Sequence, residues 1–203
     1  MGKENAQTLQ AYADNIERSI AHSTSFQSAP PILRWLETSL SGLGFDAKIL
    51  EIGSGVGRDA LYVQSLGYRV QCSDALPHFV NYMRSKGLDA IPLNILTDNI
   101  AHNYDLIFSN AVLLHCTPRD MEEVLYKIFH ALNDKGRFSF TLKAGEGEEW
   151  SNKRLKEAMR YFCFWQEAPI RHLLTQVGFT KISIEESLTP VHPDPWLHIR
   201  ASK

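Results

Sequence analysis

The chain has 203 residues, of which 44% are hydrophobic and 22% charged, and its formal net charge at pH 7 is −2. These values are ordinary for a globular protein with a sizeable core, and they exclude a mainly disordered chain. The slightly acidic balance lacks the broad basic field on which non-specific nucleic-acid binding depends, so nucleic acid is disfavoured as a partner.

The N-terminus and the cysteines indicate the compartment. The first ten residues, MGKENAQTLQ, have no apolar region of a signal peptide, and no apolar stretch approaches the roughly 18 residues that span a bilayer. Cys72, Cys116 and Cys163 are far apart and form no C-x-x-C pair, which suits a reducing compartment. We expect a cytoplasmic protein with no membrane partner.

The first two predicted elements are helices over residues 5–20 and 30–40, and the second begins at Pro30 and Pro31. Strands and helices then alternate. The strands are predicted at 48–52, 68–73, 89–93, 104–109 and 137–142, and the helices between them at 58–66, 77–86 and 118–132. The last helix has a continuous apolar face, with Thr117 as its N-cap.

The C-terminal part ends this alternation. A helix is predicted at 168–177, and strands at 179–185 and 196–201 are joined by a proline-containing link without a helix. Two strands without a crossover helix between them are expected to be antiparallel. The pattern predicts an α/β fold: a doubly wound, seven-stranded, mostly parallel sheet with helices on both faces and a C-terminal antiparallel hairpin.

The most informative segment follows the first predicted strand. Residues 50–59 read Leu-Glu-Ile-Gly-Ser-Gly-Val-Gly-Arg-Asp, so a buried strand enters a glycine-rich loop and a helix follows. In open α/β sheets, ligands bind beyond the carboxyl ends of the strands, and glycines there let the backbone approach the ligand closely. We therefore expect a ligand site at residues 53–57.

The spacing of this loop distinguishes two ligands. A dinucleotide fold has the pattern G-x-G-x-x-G, whereas this chain has G-x-G-x-G with Arg58 at the third dinucleotide glycine. Glu51 would repel a pyrophosphate but would attract the ammonium and sulfonium of S-adenosylmethionine. Asp74, at the end of the second predicted strand, can accept hydrogen bonds from ribose hydroxyls. These features favour S-adenosylmethionine over a nicotinamide cofactor.

Over residues 45–185 the chain resembles the class I methyltransferases. The resemblance is carried by ILEIGSGVGRDA, the strand ending in Asp74, YDLIFSNAVLLHC and the strand after Gly136. It implies S-adenosyl-L-methionine as cofactor and a fold of seven strands with the last antiparallel. An Asp is usual in the family where Asn94 stands, but an amide can also donate and accept hydrogen bonds. The cofactor-binding residues that the resemblance implies are Glu51, Gly53, Ser54, Gly55, Gly57, Asp74, Ala75, Asn94, Ile95, Leu96, Asn110 and Ala111.

Departures from other methyltransferase groups restrict the acceptor. The fourth strand is followed by Asn110-Ala111-Val112 and not by the Pro-Pro-Tyr of amino-methylating enzymes, and the chain contains no Pro-Cys pair. No cluster of acids near the fourth strand suggests a magnesium site, so no metal is predicted. A small-molecule acceptor remains as the leading hypothesis.

The predicted organisation is one methyltransferase domain over residues 1–203. It comprises an N-terminal helical cap (1–44), a cofactor-binding half (45–142), a lid-like insertion (143–167) and a C-terminal helix and hairpin (168–203). The insertion is predicted to contain a charged helix after Trp150 and to fold over the acceptor, with Phe162 and Phe164 in the core. The sequence does not determine the oligomeric state.

Five residues are candidates for the acceptor side. His115 is the candidate general base, because it follows the fourth strand and the unperturbed pKa of a histidine suits proton removal near neutrality. Tyr161 is a second catalytic candidate, and Tyr12, Trp150 and Arg160 are candidates for acceptor binding.

Three alternatives remain open. One is a protein or RNA methyltransferase in which Lys153, Arg154, Lys156 and Arg160 contact the polymer. Another is a non-catalytic, cofactor-binding subunit of a complex. The third, a nicotinamide oxidoreductase, is disfavoured by the glycine spacing.

Overall fold

A computed structural model describes residues 2–25, 28–153, 155, 158–189 and 192–203. The helices are α1 (Lys3–Ala13), α2 (Ile16–Thr24), α3 (Pro30–Leu40), α4 (Arg58–Ser65), α5 (Pro77–Ser85), α6 (Pro118–Ala131) and α7 (Glu167–Val177), and a short 3₁₀ helix spans Leu113–His115. The strands are β1 (Ile49–Ile52), β2 (Val70–Asp74), β3 (Ala90–Pro92), β4 (Tyr104–Ser109), β5 (Leu132–Lys143), β6 (Glu148–Ser151), β7 (Arg160–Cys163), β8 (Thr180–Thr189) and β9 (His192–Ser202).

Seven of these strands form one sheet in the order β3-β2-β1-β4-β5-β9-β8. The first five are parallel, whereas β9 is antiparallel to both β5 and β8. The predicted fold class is confirmed, including the C-terminal hairpin. Strand β1 lies between β2 and β4, where the direction of winding reverses, and its carboxyl end is therefore the expected ligand site of such a sheet.

Helices cover both faces of this sheet, as the alternation of buried side chains shows. Leu50 and Ile107 pack in one cluster with the apolar faces of α6 and α7. The neighbouring residues Ile49 and Leu106 pack in a second cluster with α3, α4 and α5. Because successive side chains of a strand point to opposite faces, β1 and β4 are buried on both sides. The Thr117 cap is confirmed, since its side chain accepts from the Asp120 N–H at 3.1 Å.

The prediction of one N-terminal helix over residues 5–20 is wrong in detail. Helix α1 ends at Ala13 and α2 begins at Ile16. Asn15 lies at the break with φ −122° and ψ 30°, and its side-chain amide donates to the Ala11 carbonyl at 3.0 Å. Asn side chains compete with helical hydrogen bonds in this way, so the break has a local cause.

The predicted charged helix in the insertion is also wrong over the residues that can be described. Strands β6 and β7 form an antiparallel two-stranded sheet, and residues 152–153, 155 and 158–159 between them are not helical. Residues 154, 156 and 157 of the predicted helix lie outside the described residues. The four residues of β7 are all buried, and the Tyr161 N–H donates to the hydroxyl of Thr8 on α1 at 3.0 Å. Packing against α1 therefore stabilises β7, the strand that directly follows the segment predicted as a charged helix.

Within the described ranges, no helix is both long and apolar enough to cross a membrane.

Candidate cofactor and acceptor cavity

A cavity of about 380 Å³ lies at the carboxyl ends of β1, β2 and β4. Its floor comes from the glycine-rich loop after β1, the end of β2 and the segments that follow β3 and β4. Helices α1 and α2 and the start of α3 cover it, and β9 contributes the side chains of Trp196 and His198. The predicted cofactor loop and the predicted helical cap thus lie on opposite sides of one cavity.

The glycine loop turns tightly against the protein and is open toward the cavity. Gly53 and Gly57 have positive φ angles of +70° and +76°, and a Cβ atom would collide with Val112 at the first and Leu88 at the second. Gly55 also has a positive φ, +57°, but a Cβ atom there would meet no protein atom within 4 Å. The backbone at Gly55 therefore lines open space, whereas Gly53 and Gly57 are required by close packing.

Three carboxyl groups line the same cavity: Glu51, Asp59 and Asp74. Burial, with a smaller contribution from Asp59, raises the pKa of Glu51 to about 8. Its Oε2 atom is buried and has no hydrogen-bond partner among the described residues. Burial also raises the pKa of Asp74 to about 6, against the opposing effect of backbone N–H donors. A partnerless carboxylate oxygen in a buried site is costly unless a ligand donates to it.

Asp74 is held by the loop that it faces. Its Oδ2 atom accepts from the Gly55 N–H at 3.0 Å, and its Oδ1 atom accepts from the Leu76 N–H at 2.9 Å. The carboxylate therefore connects the end of β2 to the glycine loop. Each oxygen can accept a further hydrogen bond, so a ligand's hydroxyl groups can still be bound.

A hydrogen-bond chain connects the loop after β4 to α4 through Asp59. The Asn110 side chain donates to Asp59 at 2.7 Å, and the Thr141 hydroxyl donates to the Asn110 side-chain oxygen, Oδ1, at 2.8 Å. Thr141 in turn accepts from the N–H of Ala111 at 2.9 Å. These bonds fix the orientation of the Asn110 amide, and they hold Ala111 at its positive φ of 58°.

The segment after β3 also faces the cavity. Asn94 and Ile95 line it, and the Asn94 side chain donates to Asn5 of α1 at 3.3 Å. The Leu96 N–H donates to the Asn94 side-chain oxygen at 3.1 Å, but Leu96 itself does not line the cavity. Of the twelve residues that the resemblance implied for the cofactor, the structure brings all except Gly57 and Leu96 to the cavity wall.

His115 and Tyr12 lie together at the side of the cavity covered by α1. The His115 Nδ1 atom is 2.6 Å from the Tyr161 carbonyl oxygen, which can only accept, so this nitrogen carries the proton. Its Nε2 atom is then an acceptor, and the Tyr12 hydroxyl lies 3.3 Å from it. Arg160 donates from Nη1 to the Tyr12 oxygen at 2.8 Å. The Tyr12 proton is therefore directed at His115.

The other candidates from the insertion lie outside the cavity. Trp150 is 36% exposed on β6 and packs edge-on against Tyr161. The Tyr161 ring is buried, and burial raises the pKa of its hydroxyl. Arg160 is also buried and does not line the cavity, but its hydrogen bond to Tyr12 connects it to a residue that does. Phe162 is buried as predicted, and Phe164 is partly buried against the core.

Sequence reasoning missed several cavity residues, most of all Asp59, Trp196 and His198. Asp59 had a usable signal, since an acid in the first turn of the helix after a glycine loop faces the ligand end of the sheet. Trp196 and His198 are two residues apart on β9, a spacing that puts both on the same side of a strand. Among the described residues, no group of three or more His, Cys, Asp or Glu side chains is arranged to hold a metal ion.

Residues 50–138 match the family model described as "Methyltransferase domain". No curated protein matches the chain in sequence. The chain is similar in structure to 1,6-didemethyltoxoflavin-N1-methyltransferase from Burkholderia thailandensis, with a TM-score of 0.78, 19% identity and coverage of 100% of this chain and 91% of that chain.

Two further structures show the same fold. One is a SAM-dependent methyltransferase from Methanosarcina mazei, with a TM-score of 0.71 and 17% identity over 88% of this chain and 99% of that chain. The other is phosphoethanolamine N-methyltransferase 2 from Haemonchus contortus, with a TM-score of 0.69 and 12% identity over 86% of this chain and 53% of that chain.

The family match, the sheet order and the glycine-loop cavity agree with the motifs read from the sequence. The chain has the fold of the class I S-adenosylmethionine-dependent methyltransferases, and its residues 50–138 match a methyltransferase domain.

Proposed function

We propose that this protein binds S-adenosyl-L-methionine in the cavity after β1 and transfers its methyl group to a small molecule. The observation that supports this most directly is the pair of carboxyl groups beside an open glycine loop, since Glu51 suits the ammonium of the ligand and Asp74 suits its ribose hydroxyls. The partnerless Oε2 atom of Glu51 fits such a cation and does not fit a pyrophosphate.

The roles of the lining residues follow their positions. Glu51, Ser54 and the backbone at Gly53 and Gly55 hold the methionine part, with Glu51 as the acceptor for the ammonium. Asp74, beside Ala75, accepts from the ribose hydroxyls. Leu93, Asn94 and Ile95 contact the adenine, and Asn110 and Ala111, fixed by Thr141 and Asp59, form the wall beside the sulfonium.

When bound, the cofactor supplies a methyl group already activated by the sulfonium, and transfer to an acceptor is an in-line displacement. The protein must align the acceptor, exclude water and, for an acceptor that bears a proton, remove that proton. Helices α1 and α2 exclude water, since both line the cavity, and α1 is held in place by hydrogen bonds through Asn5, Thr8 and Tyr12.

Tyr12 and His115 form the proton-accepting pair in this proposal. As the acceptor attacks the methyl carbon, its proton passes to the Tyr12 oxygen while the Tyr12 proton passes to His115 Nε2. The Tyr161 carbonyl stabilises the resulting imidazolium through Nδ1–H, and Arg160 stabilises negative charge that develops on the phenol oxygen. Residues of the insertion thus orient the proton-accepting pair. We propose this positioning role for residues 143–167 in place of the lid role expected from the sequence.

The polymer-methylating alternative receives less support from the structure. Arg160, one of the four basic residues assigned to it, is buried behind Tyr12. Arg154 and Lys156 lie outside the described residues. The three cysteines are free and buried, which agrees with the cytoplasmic location that we propose.

Calorimetric titration of the protein with S-adenosylmethionine and, separately, with NAD tests the proposed function. We expect binding of S-adenosylmethionine alone, weakened about tenfold or more in Asp74→Ala, because charged hydrogen bonds to the ribose are lost. Asp89→Ala, an acid outside the cavity at the start of the next strand, is the matched control and should bind normally. Binding of NAD in place of S-adenosylmethionine would contradict the proposal.

A further inference from the structure

The cavity extends beyond the residues assigned to the cofactor. Five of the further lining residues, Tyr12, Ile32, His115, Trp196 and His198, are here called the acceptor subsite. Four of these five side chains carry a ring, and none carries a fixed charge. This inference rests on the proposed function, because the subsite lies next to the cofactor only if the cofactor occupies the glycine-loop cavity.

Trp196 is well placed to be a rigid stacking surface. It lies on β9, which pairs with β5 on one side and β8 on the other, and its register partners are Lys143 and Ser187. Its ring is only partly buried and packs on the large core cluster, so one part of the indole remains available to a ligand. A large aromatic ring held on a strand that is paired on both sides binds a flat partner with little loss of side-chain freedom.

His198 provides a neutral polar group beside this ring. It is buried, packs edge-on against Trp35 with a centroid distance of 6.2 Å, and its Nε2 atom is 3.0 Å from the Ser187 hydroxyl. Burial lowers its pKa, so the imidazole is uncharged near neutrality. Because a serine hydroxyl can donate or accept, His198 can take either tautomer to match a donor or an acceptor on the ligand.

The charges around the cavity disfavour an anionic acceptor. Among the described lining residues, Arg58 is the only one with a fixed positive charge, and its Nε atom is bound to Asp59 at 3.1 Å. Arg160 is kept from the cavity by Tyr12. A phosphate or carboxylate would therefore lose its hydration without gaining a cationic partner, which is unfavourable.

We infer that the methyl acceptor is an uncharged, planar heteroaromatic compound that stacks on Trp196 and is hydrogen-bonded by His198. A flat ring system with polar edges matches a subsite made of aromatic faces and neutral hydrogen-bonding groups. Tyr12 lines the same cavity, so its hydroxyl, the proton-accepting group of the proposed mechanism, is available to an N–H or O–H on that compound.

The test is calorimetric binding to the protein saturated with S-adenosylhomocysteine. Lumazine and xanthine are the planar, uncharged probes, and phosphoethanolamine is the anionic one. We expect at least one planar probe to bind, phosphoethanolamine not to bind, and Trp196→Leu to weaken the planar probe by about tenfold. His198→Gln should also weaken it, whereas Trp150→Leu, which removes an indole outside the cavity, should leave the affinity unchanged.

The titration with S-adenosylhomocysteine separates the two claims. Three results would overturn this inference alone if S-adenosylhomocysteine still binds normally. They are failure of both planar probes to bind, binding of phosphoethanolamine, and equal effects of Trp196→Leu and Trp150→Leu on the affinity for the planar probe. If the protein does not bind S-adenosylhomocysteine, both the proposed function and this inference are contradicted. Circular dichroism spectra of both tryptophan variants must match that of the unmodified protein, which shows that the variants fold. If one variant is destabilised, thermal unfolding in the presence of S-adenosylhomocysteine gives an independent measure of its cofactor binding.

Discussion

Arg160 donates a hydrogen bond to the phenol oxygen of Tyr12 at 2.8 Å, and the two residues are 148 positions apart in the chain. The guanidinium also lies over the Tyr12 ring, 5.2 Å from its centroid, and over the Phe162 ring at 5.1 Å. This contact joins the insertion hairpin to the helix that covers the cavity. It also directs the Tyr12 proton toward His115.

Removal of the Tyr12 hydroxyl should slow methyl transfer. Tyr12→Phe retains the ring that packs against the cluster of Val56, Leu76 and Phe79 but removes the hydroxyl between Arg160 and His115. We expect kcat to fall by about a hundredfold, the lower end of general acid–base contributions, with the affinity for S-adenosylhomocysteine unchanged. Tyr126→Phe, on the exposed face of α6, is the control. Full turnover by Tyr12→Phe on a proton-bearing acceptor would exclude the relay.

A pair of glycine substitutions tests the cofactor loop. Gly55 and Gly87 both have positive φ, +57° and +79°, and a Cβ atom at either meets no protein atom within 4 Å. Replacement by alanine should therefore destabilise the protein by a similar amount, about 1 kcal/mol, through backbone strain. Only Gly55 lines the cavity.

We expect Gly55→Ala to weaken S-adenosylmethionine binding at least tenfold and Gly87→Ala to leave it unchanged. Calorimetric titration gives the affinities, and thermal unfolding shows whether the strain is matched. Equal affinities in the two variants would show that the cofactor does not approach this part of the loop.

The raised pKa of Glu51 predicts that ligand binding releases a proton. Burial holds this pKa at about 8, so the carboxyl group is mostly protonated at pH 7 in the absence of ligand. A ligand ammonium beside it favours the carboxylate, and binding should therefore release close to one proton. Calorimetry of S-adenosylhomocysteine binding in two buffers of different ionisation enthalpy measures this number. Glu51→Gln should reduce it to near zero, and an unchanged release would assign the proton to another group.

The same pKa predicts how stability depends on pH. The folded protein holds the Glu51 proton more tightly than the unfolded chain, whose carboxyl group titrates near 4.5. The contribution of this proton to stability is therefore complete below pH 4.5 and is lost as the pH rises toward 8. The amide side chain introduced by Glu51→Gln cannot ionise. The unfolding free energy of this variant should therefore rise relative to that of the unmodified protein as the pH increases from 5 to 8. Parallel pH profiles of the two proteins in urea unfolding would contradict this.

Thr141 provides a test of the wall beside the sulfonium. Thr141→Val keeps the shape of the side chain but leaves the Ala111 N–H and the side-chain oxygen of Asn110 without their partner. We expect a loss of about 1–3 kcal/mol in unfolding free energy and a weaker affinity for the cofactor, because Asn110 is no longer fixed. Thr175→Val, whose exposed hydroxyl bonds only to a carbonyl of its own helix, is the control. An unchanged affinity would limit Thr141 to a structural role.

Much of the cofactor half could be predicted from the sequence because its signals are local. Apolar runs mark β1 and β4, the glycines follow β1 directly, and Asp74 ends the next strand. Loop and acid meet because parallel strands present their carboxyl ends at one edge of the sheet.

The acceptor half could not be predicted in the same way. Arg160 resembles a member of a basic surface run, yet contacts with Tyr12 and Phe162 bury it, and those contacts depend on how a hairpin packs against a helix distant in the chain. Trp196 and His198 lie on a strand in which Leu197 and Ile199 are buried, so hydrophobicity alone did not distinguish cavity-lining residues from core residues. The break at Asn15 was local, but a single polar residue is a weak signal against the surrounding helical pattern.

Hydrogen exchange measured with and without S-adenosylmethionine tests the central claim most directly. We expect slower exchange in the loop at residues 53–58, in the segments 74–76, 93–95 and 110–112, and in α1, with no change in β6. Unchanged exchange in the glycine loop, or protection confined to another part of the chain, would contradict the assignment of this cavity as the methyl-donor site.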